Sequence, residues 1–195
     1  MKLSAFQLLL LFAMGAVVSP FGDHGHVVTG TTEYLSTAVP FFWDSALWFP
    51  LLVGLATAGT AELRLQLGSP RATLKLADGC AGIAAVMGLY ALTALLRHQP
   101  LVPASLLIFA LAIVIWRLLG DRPALICGSA TAIGGFVVEA MLVQASIFRY
   151  ADDIDVLFGV APWQPALFFV FGVVAAQLGE LAATTRASPA PAGMA

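Results

Sequence analysis

Residues 101–123 read LVPASLLIFALAIVIWRLLGDRP. An apolar run whose only charge is Arg117 is long enough to cross the hydrocarbon core of a bilayer, which takes ~20 residues of helix. It stops at WRLLGDRP, residues 116–123, and a second apolar run follows at once. Gly120 suits a left-handed stop to the first helix, Asp121 an N-cap for the second, and Pro123 that helix's first turn. Two spanning helices joined by a tight polar turn are the pattern this stretch dictates.

The pattern recurs along the chain. With 60% hydrophobic and 10% charged residues among 195, and a mean hydropathy of +0.93, the sequence carries more apolar surface than a soluble domain of this length covers. Six stretches qualify as spans: 3–18, 45–67, 74–96, 101–119, 123–147 and 162–183. The expected fold class is all-α, a polytopic membrane protein built as a bundle of six transmembrane helices. One membrane domain, 1–185, is followed by a tail, 186–195, whose Pro and Ala content predicts disorder. The first stretch reads as a retained span and not a leader, because no Ala-x-Ala site follows it and Pro20 sits where cleavage would fall.

Basic residues orient the bundle. With six crossings, Lys2, Arg64, Arg71, Lys75, Arg117, Arg122 and Arg186 share one side and only Arg97 and Arg149 the other, which predicts that both termini are cytoplasmic. The outer loops collect Asp23, Glu33, Asp44, Asp152, Asp153 and Asp155. A net charge of −2 and a pI near 5.8 offer no footprint for nucleic acid. Cys80 and Cys127, both inside apolar spans, read as buried, reduced hydrophobes.

The segment 20–44 is the longest expected connection, with Phe41-Phe42-Trp43 as an interfacial anchor. Small residues recur at helical spacing: Gly54 and Ala58, then Cys80, Ala84 and Gly88, then Gly172 and Ala176. Such faces serve close helix packing or, where side chains are missing, a cavity wall.

Among ionisable groups Glu139 stands out, roughly 24 Å along the fifth span at 1.5 Å per residue. A carboxylate at that depth is costly, so it reads equally as a functional group or as one that is hydrated near the outer surface or simply protonated. Glu62 and Glu180 lie nearer inner helix ends and are expected to snorkel. Asp23-His24-Gly25-His26 brings together metal-ligating types but lacks a third histidine, and the acidic group at 152–155 lacks the glycine and distal glutamate of a calcium loop. No metal is expected. There is no His-Glu-x-x-His, no Gly-x-Ser-x-Gly and no glycine-rich phosphate loop, so catalysis ranks below ligand binding.

The turn WRLLGDRP also resembles the loop of the INSIG (insulin-induced gene) family, where a tryptophan-bearing helix end runs into an Asp-Arg pair and a glycine-rich fifth helix. Other pieces agree in order. Ser45 to Gly54, SALWFPLLVG, resembles the family's S-A-W-W-V-P segment, and Leu67-Gly-Ser-Pro70 resembles its L-G-E-P turn. Residues 150–178, with Trp163, Pro165, Phe168, Phe169, Gly172 and Gln177, resemble its last loop and helix. The match covers the second to sixth spans.

The resemblance implies a six-helix, non-enzymatic, lipid-responsive protein. Eukaryotic members bind oxysterols within the bilayer and hold partner membrane proteins in the endoplasmic reticulum, and the matching aspartate is implicated in that contact. Asp121, with Arg122, is therefore the expected partner-binding site. This chain departs in being short at both ends, in its Ala-rich bacterial style, and in carrying Pro103-Ala-Ser105 where the family has a glutamine early in the fourth helix. A bacterial inner membrane generally lacks sterols, so the expected ligand is a neutral two-tailed lipid of diacylglycerol type, with no other cofactor. A homo-oligomer, preferentially a trimer, is expected.

The pocket is expected among the first five helices, with Met87, Gly88, Tyr90, Ile108, Trp116, Phe136 and Glu139 as its ligand-binding residues and the sixth helix packed tightly outside it. A small-molecule transporter or channel, and a lipid-modifying enzyme, stay open as alternatives.

Overall fold

The computed structural model describes residues 2–36 and 39–185. The expected tail at 186–195 lies outside the described residues.

Helix α1, Ala5–Val28, starts at a reciprocal cap in which the Ser4 hydroxyl accepts from the Gln7 amide and the Gln7 side chain accepts from the Ser4 amide. It then runs through Pro20, ten residues beyond its expected end at 18. Pro20 has no N–H to give the carbonyl of Ala16 four residues back, and the Ser19 hydroxyl turns to that carbonyl at 3.4 Å. About a third of the expected 20–44 connection is therefore helix, and Asp23 and His26, one turn apart, face inward.

Five more helices follow: α2, Trp48–Gln66; α3, Leu76–Leu95; α4, Leu101–Leu119; α5, Arg122–Gln144; α6, Gln164–Thr185. Five of the six are long and apolar enough to cross a membrane. The exception is α2, whose last turns carry Glu62, Arg64 and Gln66. Neither charge is stranded: Glu62 accepts from the Leu3 amide at 3.1 Å, and Arg64 is held in an ion cluster.

The axis of the bundle is α6. Of its apolar stretch 67% is buried, against 11–22% for α1, α3, α4 and α5, and α2, α3, α4 and α5 all pack on it. Small residues permit this. A Cβ on Gly172 would lie 2.5 Å from the Thr131 hydroxyl of α5, so only glycine lets the two backbones come so close. The stripe Cys80, Ala84, Gly88 does not serve packing inside the bundle. It is exposed on α3, whose Gly79 and Gly82 face α6 instead. Cys127 is buried as expected, whereas Cys80 is not, because it sits on the outward stripe. Outward faces of α1, α4 and α5, among them Phe6, Leu9, Leu106, Ile113, Ile133 and Met141, form the apolar surface that a bilayer would cover.

One end of the bundle carries a small β cap in place of a plain loop. Strand β1, Thr32–Tyr34, pairs antiparallel with β4, Phe148–Tyr150, placing Glu33 opposite Arg149 in an ion pair at 3.0 Å. Strands β2, Phe41–Phe42, and β3, Ser45–Ala46, form a hairpin. Arg97 ties this cap to α3 by donating to both carboxylate oxygens of Asp153, at 2.6 and 2.9 Å, and to the Gly30 carbonyl. The chain start, the ends of α2, α4 and α6, and the starts of α3 and α5 gather at the opposite end, where Gln7 bonds Ala182 and Arg64 bonds Asp121.

Candidate functional site

Two polar clusters lie at the two ends of the bundle. At the end without strands, the Arg64 guanidinium, 1% exposed, bonds Glu180 at 2.5 Å and Asp121 at 2.8 Å. Arg71 bonds Glu180 through its guanidinium at 2.6 Å and its backbone amide at 2.9 Å, and donates to the Leu119 carbonyl. Glu180 is fully buried, so it does not snorkel as expected; two arginines from other elements come to it instead. Asp121 caps α5 by accepting from the Ala124 amide at 2.8 Å, and the Trp116 indole donates to its carbonyl at 3.1 Å. Pro123 occupies the first turn as expected, but Gly120 leaves α4 in an extended conformation, φ −100°, and not a left-handed one. Arg122 is exposed beside this cluster.

The strand-bearing end opens into a cavity of about 440 Å³, within the size range of small-molecule sites. Its shaft is apolar, lined by Met14 and Val18 of α1, Val53 of α2, Ile83 and Met87 of α3, and Phe171 of α6. Between α2 and α5 the shaft meets the outside: Leu52 and Gly59 on one rim, Ala130, Gly134 and Val138 on the other, line the cavity and are exposed. The two helices touch only lightly there, with the Thr60 and Thr131 hydroxyls 3.4 Å apart.

Polar groups converge at the head of the cavity. The Tyr150 hydroxyl donates to Glu139 Oε1 at 2.7 Å, and the Gln164 amide nitrogen reaches the same oxygen at 3.4 Å. The Tyr34 hydroxyl donates to Asp23 at 2.6 Å. Burial, reinforced by the neighbouring carboxyl groups, pushes both phenols above their ordinary range, so they stay neutral donors. His26, 2% exposed, stands 2.8 Å from the Thr93 hydroxyl and edge-on to the Tyr90 ring. Gly22 makes room for that ring, since a Cβ there would lie 1.8 Å from it. Three lining atoms are buried with no partner: Glu139 Oε2, Gln164 Oε1 and Thr32 Oγ1.

Of the expected ligand-binding residues, Met87, Tyr90 and Glu139 line this cavity. The other four do not. Gly88 points outward with nothing within 4 Å, Ile108 is fully buried in the core under β4 and α6, Trp116 belongs to the ion cluster, and Phe136 packs on Phe158. The expectation that α6 stands outside the pocket is likewise corrected, for α6 supplies Gln164 to its head and Phe168 and Phe171 to its shaft, while α4 supplies no lining residue. A sixth helix with the bundle's central position necessarily borders any central space. Asp23, His26, Tyr34, Tyr150 and Gln164 were not singled out as pocket residues from sequence. The available signal was Ser19-Pro20, which lets α1 continue far enough to bring Asp23 and His26 inside.

The lining contains two carboxyl groups and no Lys or Arg among the described residues. His24 turns away from Asp23 and His26 to pair with Asp44 at 2.8 Å. Among the described residues no three His, Cys, Asp or Glu side chains converge as a metal would require. The geometry is that of an apolar sleeve with a hydrogen-bonding head.

No protein-family model matches the chain. Over 191 residues, 98% of this chain and 94% of the relative, it is 50% identical to an INSIG protein homolog of Mycolicibacterium vanbaalenii. The fold matches the crystal structure of MvINS, a mycobacterial Insig homolog from Mycobacterium vanbaalenii, with a TM-score of 0.93 and 50% identity, over 95% of this chain and 98% of that one. A cross-linked MvINS trimer with an arginine-to-cysteine substitution matches equally well. The helical sleeve, its apolar outer surface and this likeness over nearly the whole length converge: the chain is an integral membrane protein and belongs to the INSIG family.

Proposed function

We propose that this protein is a non-enzymatic, intramembrane lipid-binding protein of the bacterial inner membrane, oriented with both termini in the cytoplasm. It holds a neutral two-tailed lipid of diacylglycerol type, with the glycerol at the strand-bearing end and acyl chain in the shaft. The observation that carries this reading is the single continuous cavity with an apolar shaft, an opening between α2 and α5 at bilayer depth, and a polar head. A lipid can enter sideways through such an opening without leaving the membrane. Each buried CH₂ contributes roughly 0.8 kcal/mol when taken from water, though far less when taken from bilayer lipid, so selectivity comes from shape and from the head.

The basic-end turn at 120–123, with Arg122 exposed and Asp121 holding its shape, is the docking element for a partner membrane protein in this reading. Assembly as a homotrimer is supported by the cross-linked trimer of the relative.

Native mass spectrometry of the detergent-purified protein tests the lipid reading. Wild-type protein is expected to carry a neutral lipid. Gly134→Phe, which fills the opening where a Cβ meets nothing within 4 Å, is expected to lower retained lipid about tenfold while leaving helical content unchanged. Wild-type protein without lipid overturns the proposal.

A further inference from the structure

Among the described residues, seven buried side-chain atoms have no hydrogen-bond partner, and three of them, Thr32 Oγ1, Glu139 Oε2 and Gln164 Oε1, line the head of the cavity. Buried polar atoms are ordinarily paired, and leaving one unpaired is costly. Each of the three already has its neighbours directed elsewhere. Tyr150 and the Gln164 nitrogen both donate to the other Glu139 oxygen, and Tyr34 donates to Asp23. Gln164 Oε1 accepts only, so its missing partner is a donor. A hydroxyl, which donates and accepts, suits Glu139 Oε2 in either protonation state, and the Thr32 hydroxyl can donate to an ester carbonyl.

The charge pattern adds a second constraint. Asp23 and Glu139 lie on the head of a cavity whose described lining holds no cationic side chain to receive a phosphate. We infer that the head of the cavity is a chemical filter: Glu139, Gln164 and Thr32 admit an acylglycerol with a free hydroxyl, and the lack of a cationic side chain in the described lining leaves the phosphate heads of the surrounding phospholipids without a partner. The inference rests on the lipid-binding reading above and extends it to how one minor neutral lipid is chosen from a phospholipid membrane.

Three probes with identical acyl chains separate the terms: 1,2-dioleoylglycerol, its 3-O-methyl ether, in which a methyl group replaces the donor proton, and dioleoylphosphatidic acid. Purified protein is incubated with an equimolar mixture, washed, and its retained lipid measured by mass spectrometry. The free alcohol is expected to exceed each competitor about tenfold, the usual scale for an unpaired buried polar group. Gln164→Leu is expected to erase the preference over the methyl ether, and Thr32→Arg, which brings a cation to the head, to raise the share of phosphatidic acid. Wild-type protein that retains the methyl ether or phosphatidic acid at parity overturns the filter and leaves the lipid reading standing. Retention of none of the three overturns both.

Discussion

The two ends of this bundle use the same residue types to opposite ends. At the basic end every carboxylate oxygen of Glu180 and Asp121 has a donor: Arg64, Arg71 or a backbone amide. At the strand-bearing end Glu139 keeps one oxygen without a partner, and Gln164 and Thr32 each keep one polar atom so. Only Arg64 Nε lacks an acceptor in the first cluster. A closed polar network holds elements together, whereas one left open beside a cavity is shaped for something to arrive.

If that contrast holds, the closed end is where substitution costs most stability. Glu180→Ala removes the acceptor that Arg64 and Arg71 share and leaves the buried Arg64 with Asp121 as its one carboxylate partner, beside the Gly68 and Ser69 carbonyls. Losing one partner of a buried pair costs about 3–5 kcal/mol. Thermal unfolding in detergent, followed by circular dichroism, is expected to show a large fall in Tm, and an unchanged Tm would mean that the cluster is not structural. The contrast is sharpened by Glu139→Gln, which removes no cation's partner and is expected to leave Tm nearly unmoved.

Asp121→Ala is the next largest. Loss of the α5 cap costs about 0.5–2 kcal/mol, to which the lost contact with Arg64 adds. If Asp121 serves to shape the docking turn, Asp121→Ala should lower Tm while Arg122→Ala leaves it alone. Should Asp121→Ala leave Tm intact yet weaken capture of a membrane partner, Asp121 itself is the contact.

The smallest effect belongs to the Arg97–Asp153 tie of the β cap. The Arg97 hydrogen bonds hold the Asp153 carboxyl below the ordinary aspartate value of 3.8. A depressed folded-state value stabilises above the unfolded value, and that contribution disappears as pH falls through the depressed one. The tie is therefore complete at neutral pH and lost only in acid. Asp153 is exposed, so the change is expected in hydrogen exchange of the 152–155 loop below about pH 4 and not in global unfolding.

Much of this was legible in the residues. Long apolar runs separated by short polar turns name a membrane bundle, because each span must satisfy its own backbone as a helix in lipid. Gly120-Asp121-Arg122-Pro123 names a cap, because those contacts are made within one turn. The end of α1 was less legible. Pro20 reads as a breaker, and only the neighbouring Ser19 and the packing of α1 on α2 and α3 let the helix pass through it.

The sequence by itself determined the fold class, the number of long helices and which residues gather at each end, since all of these follow from composition and local spacing. Tertiary structure alone decided that α6 and not α4 walls the cavity, that Gly88 faces outward while Gly134 faces the opening, that Glu180 meets Arg64 116 positions away, and that Gln164 stands beside Glu139. The physical reason is rotation. A helix presents a different side chain every 100°, so an apolar helix with small residues on several faces carries no local mark of which face looks inward. That choice is made by the neighbouring helices, through the close approaches their glycines permit and the few buried charges that must find each other.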